Sequence, residues 1–257
     1  MITKKTPEEI ETLKEAGSIL AKILKGVAAE IKPGVTTLSL DDRAMDLAEE
    51  YGVEPVLLGY HPGFADRPYP AAICVSVNNC VQHGIPSEDF VLEEGDVVNI
   101  DMSIAHKDMI VDSGLTVGVG EISDEARKLL AVTEEARAIG IKEAKPGNHI
   151  GDISAAIQKH VESRGFSVVQ VLCGHGVGYA VHEDPTIPNY GKAGTGPLIE
   201  VGHVYAIEPI VNIGKPDVVF DDEGDGYSVY TTDGSWSAHF EHTVAITEDG
   251  PLILTKE

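Results

Sequence analysis

The sequence has few cysteines and no long apolar segment. Its three cysteines (Cys74, Cys80 and Cys173) are odd in number and lack CxxC or zinc-finger spacing, which argues against a disulfide framework and a thiolate zinc site. No apolar run approaches the roughly 20 residues that cross a bilayer. The first residues also lack the apolar core of a secretory signal. These absences predict reduced thiols, a cytoplasmic location and no membrane partner.

Basic residues are also scarce. The chain has 19 Lys and Arg against 42 Asp and Glu, and its formal net charge is −23. A surface this acidic repels phosphate backbones, so the sequence predicts no nucleic-acid partner. No GxxxxGK[ST] loop and no GxSxG turn is present, which leaves nucleotide hydrolysis and serine hydrolysis without support.

The helix signals occur twice along the 257 residues. Thr6-Pro7-Glu8-Glu9 predicts a helix start, Lys32-Pro33-Gly34 its end, and a second helix covers about 39–50. Ser123 begins a matching pair of helices. The first ends at Lys145-Pro146-Gly147, and the second, about 153–161, ends at Gly165. Gly52 follows Gly34 by 18 residues, and Gly165 follows Gly147 by 18. We therefore predict one catalytic domain, 1–257, with duplicated halves at approximately 6–121 and 122–250.

The predicted fold class is α+β. The two halves would be related by a pseudo-twofold axis, and their strands would form one mixed, largely antiparallel sheet with the helices packed on one face.

Two acids follow apolar runs in the first half. Asp101 ends the run from Val97, and Asp112 ends the run from Met109, eleven residues after Asp101. Lys107-Asp108 between the runs predicts a hairpin tip that would bring the acids together. Buried like charges are costly without a compensating cation. The alternative is that both acids lie on solvated strand ends.

The second half repeats this arrangement. Glu208 lies six residues after Gly202, as Asp101 lies six residues after Gly95. Glu241 is the later acid of the second half, as Asp112 is of the first. His175-Gly176 matches His83-Gly84. Four acids and one histidine would balance two divalent ions, and oxygen-rich sites suit Mn, Fe or Co, with Zn also possible. Such pairs, about 3.5 to 4 Å apart, activate a bridging water for hydrolysis. The glycines of Gly174-His175-Gly176-Val177-Gly178 would let backbone approach a ligand closely.

Several short runs are recognisable together. They are Asn99-Ile100-Asp101, Gly174-His175-Gly176-Val177-Gly178 with His182-Glu183, Ala206-Ile207-Glu208-Pro209, and Glu241-His242-Thr243. In combination they closely resemble type I methionine aminopeptidases of the pita-bread fold, over essentially the whole chain. The resemblance implies a metallo-aminopeptidase that removes the initiator methionine from nascent proteins when the second residue is small. The attacking group would be a water or hydroxide that bridges two divalent metals.

The resemblance also implies residue roles. Asp101, Asp112, His175, Glu208 and Glu241 would ligate the metals, with Asp112 and Glu241 bridging, and Glu208 would also shuttle a proton to the leaving amine. Further implied residues are His83 near the substrate amine, His182 on the scissile carbonyl, Cys74, Tyr69, Tyr227 and Val181 in the substrate pocket, and Asn78, Cys80 and Ser237 around a monovalent cation.

Some positions depart from the family pattern. Tyr227 stands where many bacterial members have tryptophan, Val181 where phenylalanine is frequent, and Leu57 where cysteine is frequent. The stretch 61–70 is also longer than usual. These departures concern the pocket rim and substrate preference. The remaining histidines (His61, His106, His149, His160, His203, His239 and His242) would be surface or packing residues.

Three alternative functions are open from the sequence. A proline-directed aminopeptidase or prolidase would have the same ligands but usually an additional N-terminal domain. A type II methionine aminopeptidase would have an insertion between Glu208 and Glu241, which are only 33 residues apart. A metal-free binding scaffold would typically lose ligands. We therefore expect a monomeric enzyme that acts on N-terminal Met peptides and nascent chains, with transient ribosome contact.

Overall fold

The computed structural model describes residues 1–63, 65–222 and 224–256. Its helices are α1 (Pro7–Ala28), α2 (Thr37–Tyr51), α3 (Asp124–Glu143) and α4 (Ile150–Glu162). The strands are β1 (Glu54–Pro55), β2 (Cys74–Val77), β3 (Cys80–Gln82), β4 (Val97–His106), β5 (Met109–Gly118), β6 (Ser167–Val168), β7 (Cys173–Gly176), β8 (Glu183–Pro188), β9 (Val204–Ile207), β10 (Ile210–Asn212), β11 (Val218–Phe220), β12 (Val229–Thr231), β13 (Ser237–His239), β14 (His242–Thr247) and β15 (Gly250–Ile253).

The helix starts follow their local signals. The Thr6 hydroxyl accepts a hydrogen bond from the backbone N–H of Glu9, and the Glu9 carboxylate accepts one from the backbone N–H of Thr6, which forms a complete capping box. Ser123 caps α3 through the backbone of Ala126. The predicted end of α1 was wrong by several residues: the helix stops at Ala28, and the chain turns before it reaches Lys32.

The hairpin of β4 and β5 is confirmed, with Lys107 and Asp108 both at positive φ (50° and 63°) as a two-residue turn requires. The acids, however, do not end their strands. Asp101 and Asp112 lie inside two ten-residue strands, where Asp101 pairs with Gly114 and Asp112 with Ser103. Their strands continue because both faces are covered by protein.

The predicted α+β fold with a largely antiparallel arrangement is confirmed, although the strands do not form one sheet. In the described part of the chain they pair as four sheets: β1-β4-β2 with β5 beside β4, β13-β10-β6, β11-β12-β3, and β15-β14-β9-β7-β8. Every pairing among these strands is antiparallel.

Two apolar clusters underlie the fold. One joins α1 and α2 to β4 and β5, and the other joins α3 and α4 to the strands that follow them. Hydrogen bonds join the halves where β5 meets the turn before β14. Glu241 donates its backbone N–H to the Gly114 carbonyl (2.8 Å), and the Ser113 hydroxyl donates to the Glu241 carbonyl (2.9 Å). Acids from distant parts of the sequence thereby reach one site.

Among the residues described, no helix is long and apolar enough to cross a bilayer.

Candidate active site

One cavity of about 300 Å³ lies between the halves of the chain. All eleven residues that the sequence predicts to bind metal or substrate line it, namely Asp101, Asp112, His175, Glu208, Glu241, His83, His182, Cys74, Tyr69, Tyr227 and Val181. Five further residues of the described part of the chain also line it, namely Leu57, Tyr60, Pro62, Gln82 and Ser103.

The floor of the cavity is acidic. The ligand atoms of Asp112, His175 and Glu241 lie within 4.8 Å of one another, and all three residues are buried. His175 Nε2 is 3.4 Å from Glu208 Oε1 and 3.8 Å from Asp112 Oδ2. Gln82 donates a hydrogen bond to Asp101 Oδ2 at 3.1 Å. The hairpin therefore supplies two carboxylates, and the regions around β7, β9 and β14 supply the rest.

These groups are difficult to ionise in the metal-free chain. Burial is the first cause of a raised pKa for Asp101, Asp112, Glu208 and Glu241, and the negative charge of neighbouring acids raises three of these pKa values further. Burial also lowers the pKa of His175, which favours the neutral imidazole that coordinates a metal.

The donor set fits divalent cations. Asp112 Oδ1 and Glu241 Oε1 are buried and, within the described residues, make no hydrogen bond. Such unpaired oxygens are costly unless a cation binds them. Four carboxylates and one imidazole suit Mn, Fe, Co or Zn.

His182 lies beside His175, with their ring centroids 4.5 Å apart. The Tyr60 hydroxyl lies 3.0 Å from His182 Nδ1. Burial, and then the proximity of His175, lowers the pKa of His182 to about 4. The imidazole is therefore neutral near pH 7, and a hydrogen bond from Tyr60 to Nδ1 would place its proton on Nε2.

His83 occupies a constrained turn. Its φ is 58°, a left-handed conformation that is rare outside glycine. Bonds of the next residue hold it there: Gly84 donates to Ser76 Oγ, and its carbonyl accepts from the Tyr69 hydroxyl at 3.0 Å. Burial lowers the pKa of His83 to about 4. His83 therefore presents a neutral ring to the cavity.

One wall of the cavity is apolar. Tyr69, Cys74 and Tyr227 pack together, with Leu57 against them. Cys74 pairs with Asp101 across β2 and β4, which puts the thiol beside the acids. Burial and the Asp101 charge raise the pKa of Cys74 well above its usual value, so the sulfur remains an uncharged thiol.

Comparison with known families matches residues 11–248 to the family described as metallopeptidase family M24. The chain belongs to metallopeptidase family M24.

Similar M24 proteins extend over the whole chain. It is 46% identical to the methionine aminopeptidase of Aquifex aeolicus over 250 residues, 96% of each sequence. It is also 46% identical to methionine aminopeptidase 1 of Bacillus subtilis over 256 residues, 100% of each. The solved methionine aminopeptidase of Thermotoga maritima superposes with a TM-score of 0.95 at 43% identity, covering all of both chains. The Pyrococcus furiosus prolidase, at 24% identity and a TM-score of 0.76 over 65% of its own length, shares the fold.

Sequence reasoning missed one buried histidine of this M24 site. His239 is fully buried, and its Nε2 lies 3.8 Å from Glu208 Oε2 and 4.0 Å from Glu241 Oε2. Asn99 and Gln82 approach its Nδ1 at 3.2 and 3.4 Å. The signal in the sequence was its position only two residues before Glu241.

Other expectations had mixed outcomes. The glycines of Gly174–Gly178 allow close approach of protein atoms, and their predicted approach to a ligand stays a prediction. A Cβ on Gly174 would lie 2.4 Å from the Ala206 carbonyl oxygen, and one on Gly176 would lie 2.2 Å from that of Asp184.

Two of the residues expected around a monovalent cation, Asn78 and Ser237, are in direct contact. Ser237 donates its backbone N–H to the Asn78 carbonyl at 2.9 Å. Cys74 lines the same cavity as the acids, whereas Cys80 lines a different one.

Proposed function

We propose that this M24 chain removes the N-terminal methionine from peptides and nascent proteins whose second residue is small. The observation that supports this most directly is one cavity with a buried acid and histidine cluster at its floor and an apolar wall beside it. Such a wall accepts an unbranched thioether side chain. The full-length similarity to proteins named methionine aminopeptidase supports the same activity.

The proposed metal ligands are Asp101, Asp112, His175, Glu208 and Glu241, for two divalent ions. When bound, the ions supply Lewis acidity, which makes a water nucleophilic near neutral pH and polarises a carbonyl. Glu208 takes a proton from the attacking water and returns it to the leaving amine.

The two cavity histidines act on the substrate. His182, with its proton on Nε2, donates a hydrogen bond to the scissile carbonyl oxygen as negative charge develops there. His83 contacts the substrate near its amine and the scissile amide. Tyr69, Cys74, Tyr227 and Val181 enclose the methionine side chain, and the apolar wall excludes water from it.

Further proposals concern the context of the enzyme. We propose a single catalytic domain, 1–257, with halves at approximately 6–121 and 122–250. One apolar cluster lies within the second half, and the other lies mostly in the first half but includes residues of the second. We also propose a cytoplasmic monomer that contacts the ribosome transiently. A monovalent cation would bind near Asn78, Cys80 and Ser237.

A peptide panel tests the specificity. Protein supplied with Mn²⁺ is incubated with Met-Gly-Met, Met-Leu-Met and an Xaa-Pro peptide, and the free amino acids are quantified. We expect methionine release from Met-Gly-Met and much less from Met-Leu-Met. Cleavage confined to the Xaa-Pro peptide would contradict the proposal and favour a prolidase-like activity.

A further inference from the structure

A buried ion pair fixes the segment that carries His182. The Lys5 ammonium, just before α1, lies 2.7 Å from Glu183 Oε2, and these side chains are only 1% and 9% exposed. Glu183 follows His182 directly in the chain. Neither residue lines the cavity, so the role of this pair is separate from metal and substrate binding.

Glu183 closes the turn that contains His182. Its Oε1 accepts hydrogen bonds from the backbone N–H groups of Tyr179 (2.5 Å) and Ala180 (3.2 Å). Its Oε2 faces Lys5 and accepts from the Thr3 hydroxyl. One carboxylate therefore ties the beginning of the turn 179–183 to its end. Two side chains of the cavity wall, Val181 and His182, lie between those ends.

Lys5 is held from several sides. Its backbone N–H donates to the Gly202 carbonyl at 2.8 Å, and its ammonium lies 4.7 Å from the centre of the Tyr179 ring. A Cβ on Gly178 would be 2.3 Å from Lys5 Cε, so glycine at 178 makes room for the lysine. The third glycine of the Gly174–Gly178 run therefore accommodates Lys5.

We propose that Lys5 is a positioning residue, which acts through Glu183 to hold the turn 179–183 so that His182 faces the scissile carbonyl. This rests on the proposed aminopeptidase function. Without the ammonium, Glu183 would be buried and unpaired, and a lone buried carboxylate is strongly unfavourable. The turn would open to hydrate it, and His182 would move away from the substrate.

The neighbouring lysine offers a matched control. Lys4 Nζ lies 2.5 Å from Glu200 Oε2, with both side chains about half exposed (53% and 48%). Lys4→Met thus removes the same charge from an adjacent position but breaks only an exposed pair. Its kcat should stay within about twofold of wild type, because exposed pairs contribute little.

The first measurement is kcat and KM of the metal-supplied full chain for Met-Gly-Met. Lys5→Met should lower kcat by about ten- to a hundredfold, the size of effect expected when a catalytic group is displaced by about 1 Å. Adding Glu183→Gln should recover most of the loss, because the amide oxygen still accepts from Tyr179 and Ala180 and no charge is left unpaired. Unchanged kcat in Lys5→Met would overturn the proposal.

A double-mutant cycle separates positioning from general destabilisation. In a His182→Ala background, Lys5→Met should change kcat by less than about twofold, since the residue through which it acts is gone. The same loss in both backgrounds would refute action through His182.

Amide hydrogen exchange provides a readout that needs no substrate. Tyr179 and Ala180 should exchange faster in Lys5→Met while amides of β4 and β5 keep their protection, and Lys4→Met should match wild type. Faster exchange spread evenly over the chain would indicate a purely structural role. A wild-type protein without methionine release would overturn the proposed function, whereas the exchange result would still decide whether Lys5 holds the turn. If Lys5→Met does not fold, Glu183→Ala takes its place in both comparisons, because it removes the carboxylate that accepts from Tyr179 and Ala180. Unchanged exchange and kcat in Glu183→Ala would overturn the proposal.

Discussion

The side-chain amide of Asn99 donates a hydrogen bond to Nδ1 of His239 at 3.2 Å. Gln82 approaches the same nitrogen at 3.4 Å. Both amides are donors, so Nδ1 must accept and the ring proton lies on Nε2. That N–H is directed at Glu208 and Glu241, although 3.8 and 4.0 Å are too long for hydrogen bonds.

Replacement of His239 tests this arrangement. His239→Leu removes an acceptor from two buried amides and should lower the free energy of unfolding by about 1 to 3 kcal/mol. His239→Gln keeps an acceptor and a donor, so its free energy of unfolding should fall by less than that of His239→Leu. Urea unfolding of both variants measures the difference. Equal losses for Leu and Gln would mean that only the volume of the ring matters.

Metal binding should release protons. Burial raises the pKa of Asp101, Asp112, Glu208 and Glu241, so the metal-free chain retains protons that the ligands must lose. Because protonation competes with the cation, affinity should rise as pH increases. Calorimetric titration with Mn²⁺ in two buffers of different ionisation enthalpy counts the protons. Asp112→Asn should release fewer protons when it binds Mn²⁺. A wild-type affinity for Mn²⁺ that does not change with pH would contradict the raised pKa values.

The pH profile of activity should show no titration of His182 above about pH 5. Its pKa is lowered to about 4, and a nearby divalent cation would lower it further, since positive charge disfavours the imidazolium. His182→Gln should therefore reduce kcat/KM at every pH without moving the acid limb. Profiles of both proteins between about pH 5 and 9 check this. If the acid limb of the profile is absent in His182→Gln, the titration belongs to His182 and the prediction is wrong.

The long loop after Tyr60 should govern methionine binding more than chemistry. Arg67 donates to the Asp225 carbonyl at 3.0 Å, and the Tyr227 hydroxyl donates to the Arg67 carbonyl. These bonds hold the loop against the turn that carries Tyr227. Arg67→Ala removes the guanidinium bond and keeps the carbonyl that accepts from Tyr227. It should raise KM for Met-Gly-Met by about two- to tenfold, the equivalent of one hydrogen bond, with little change in kcat.

Arg127→Ala is the control for the loop, because Arg127 pairs with Asp124 on the exposed surface of α3. Its KM should equal that of wild type. A loss in kcat at constant KM for Arg67→Ala would show that the loop acts on the reaction itself.

Local signals predicted the local structure well. The capping box of Thr6 and Glu9 and the turn at Lys107-Asp108 depend on neighbours in the chain, so the sequence contained them. The division of strands among four sheets depends on how distant segments pack, and no short pattern encodes it. The position of Asp101 within its strand was misjudged because acids are mostly exposed, so an acid after an apolar run is expected where the strand ends.

The candidate site was found through motifs rather than contacts. The eleven proposed residues line one cavity, but their roles in binding and catalysis stay predictions. The contacts that motifs could not supply join residues far apart in sequence, such as Tyr60 with His182 and Lys5 with Glu183. Each of these pairs depends on the tertiary fold, and neither residue of a pair predicts the other.

Metal add-back is the most direct test of the central claim. Protein stripped of metal is given increasing Mn²⁺, and methionine release from Met-Gly-Met is measured beside the metal bound per chain, for wild type and Asp112→Asn. We predict no release without metal, activity that rises with occupancy in wild type, and loss of most of it in Asp112→Asn. Full activity of the stripped protein, or no release by folded, metal-loaded wild type, would contradict the account.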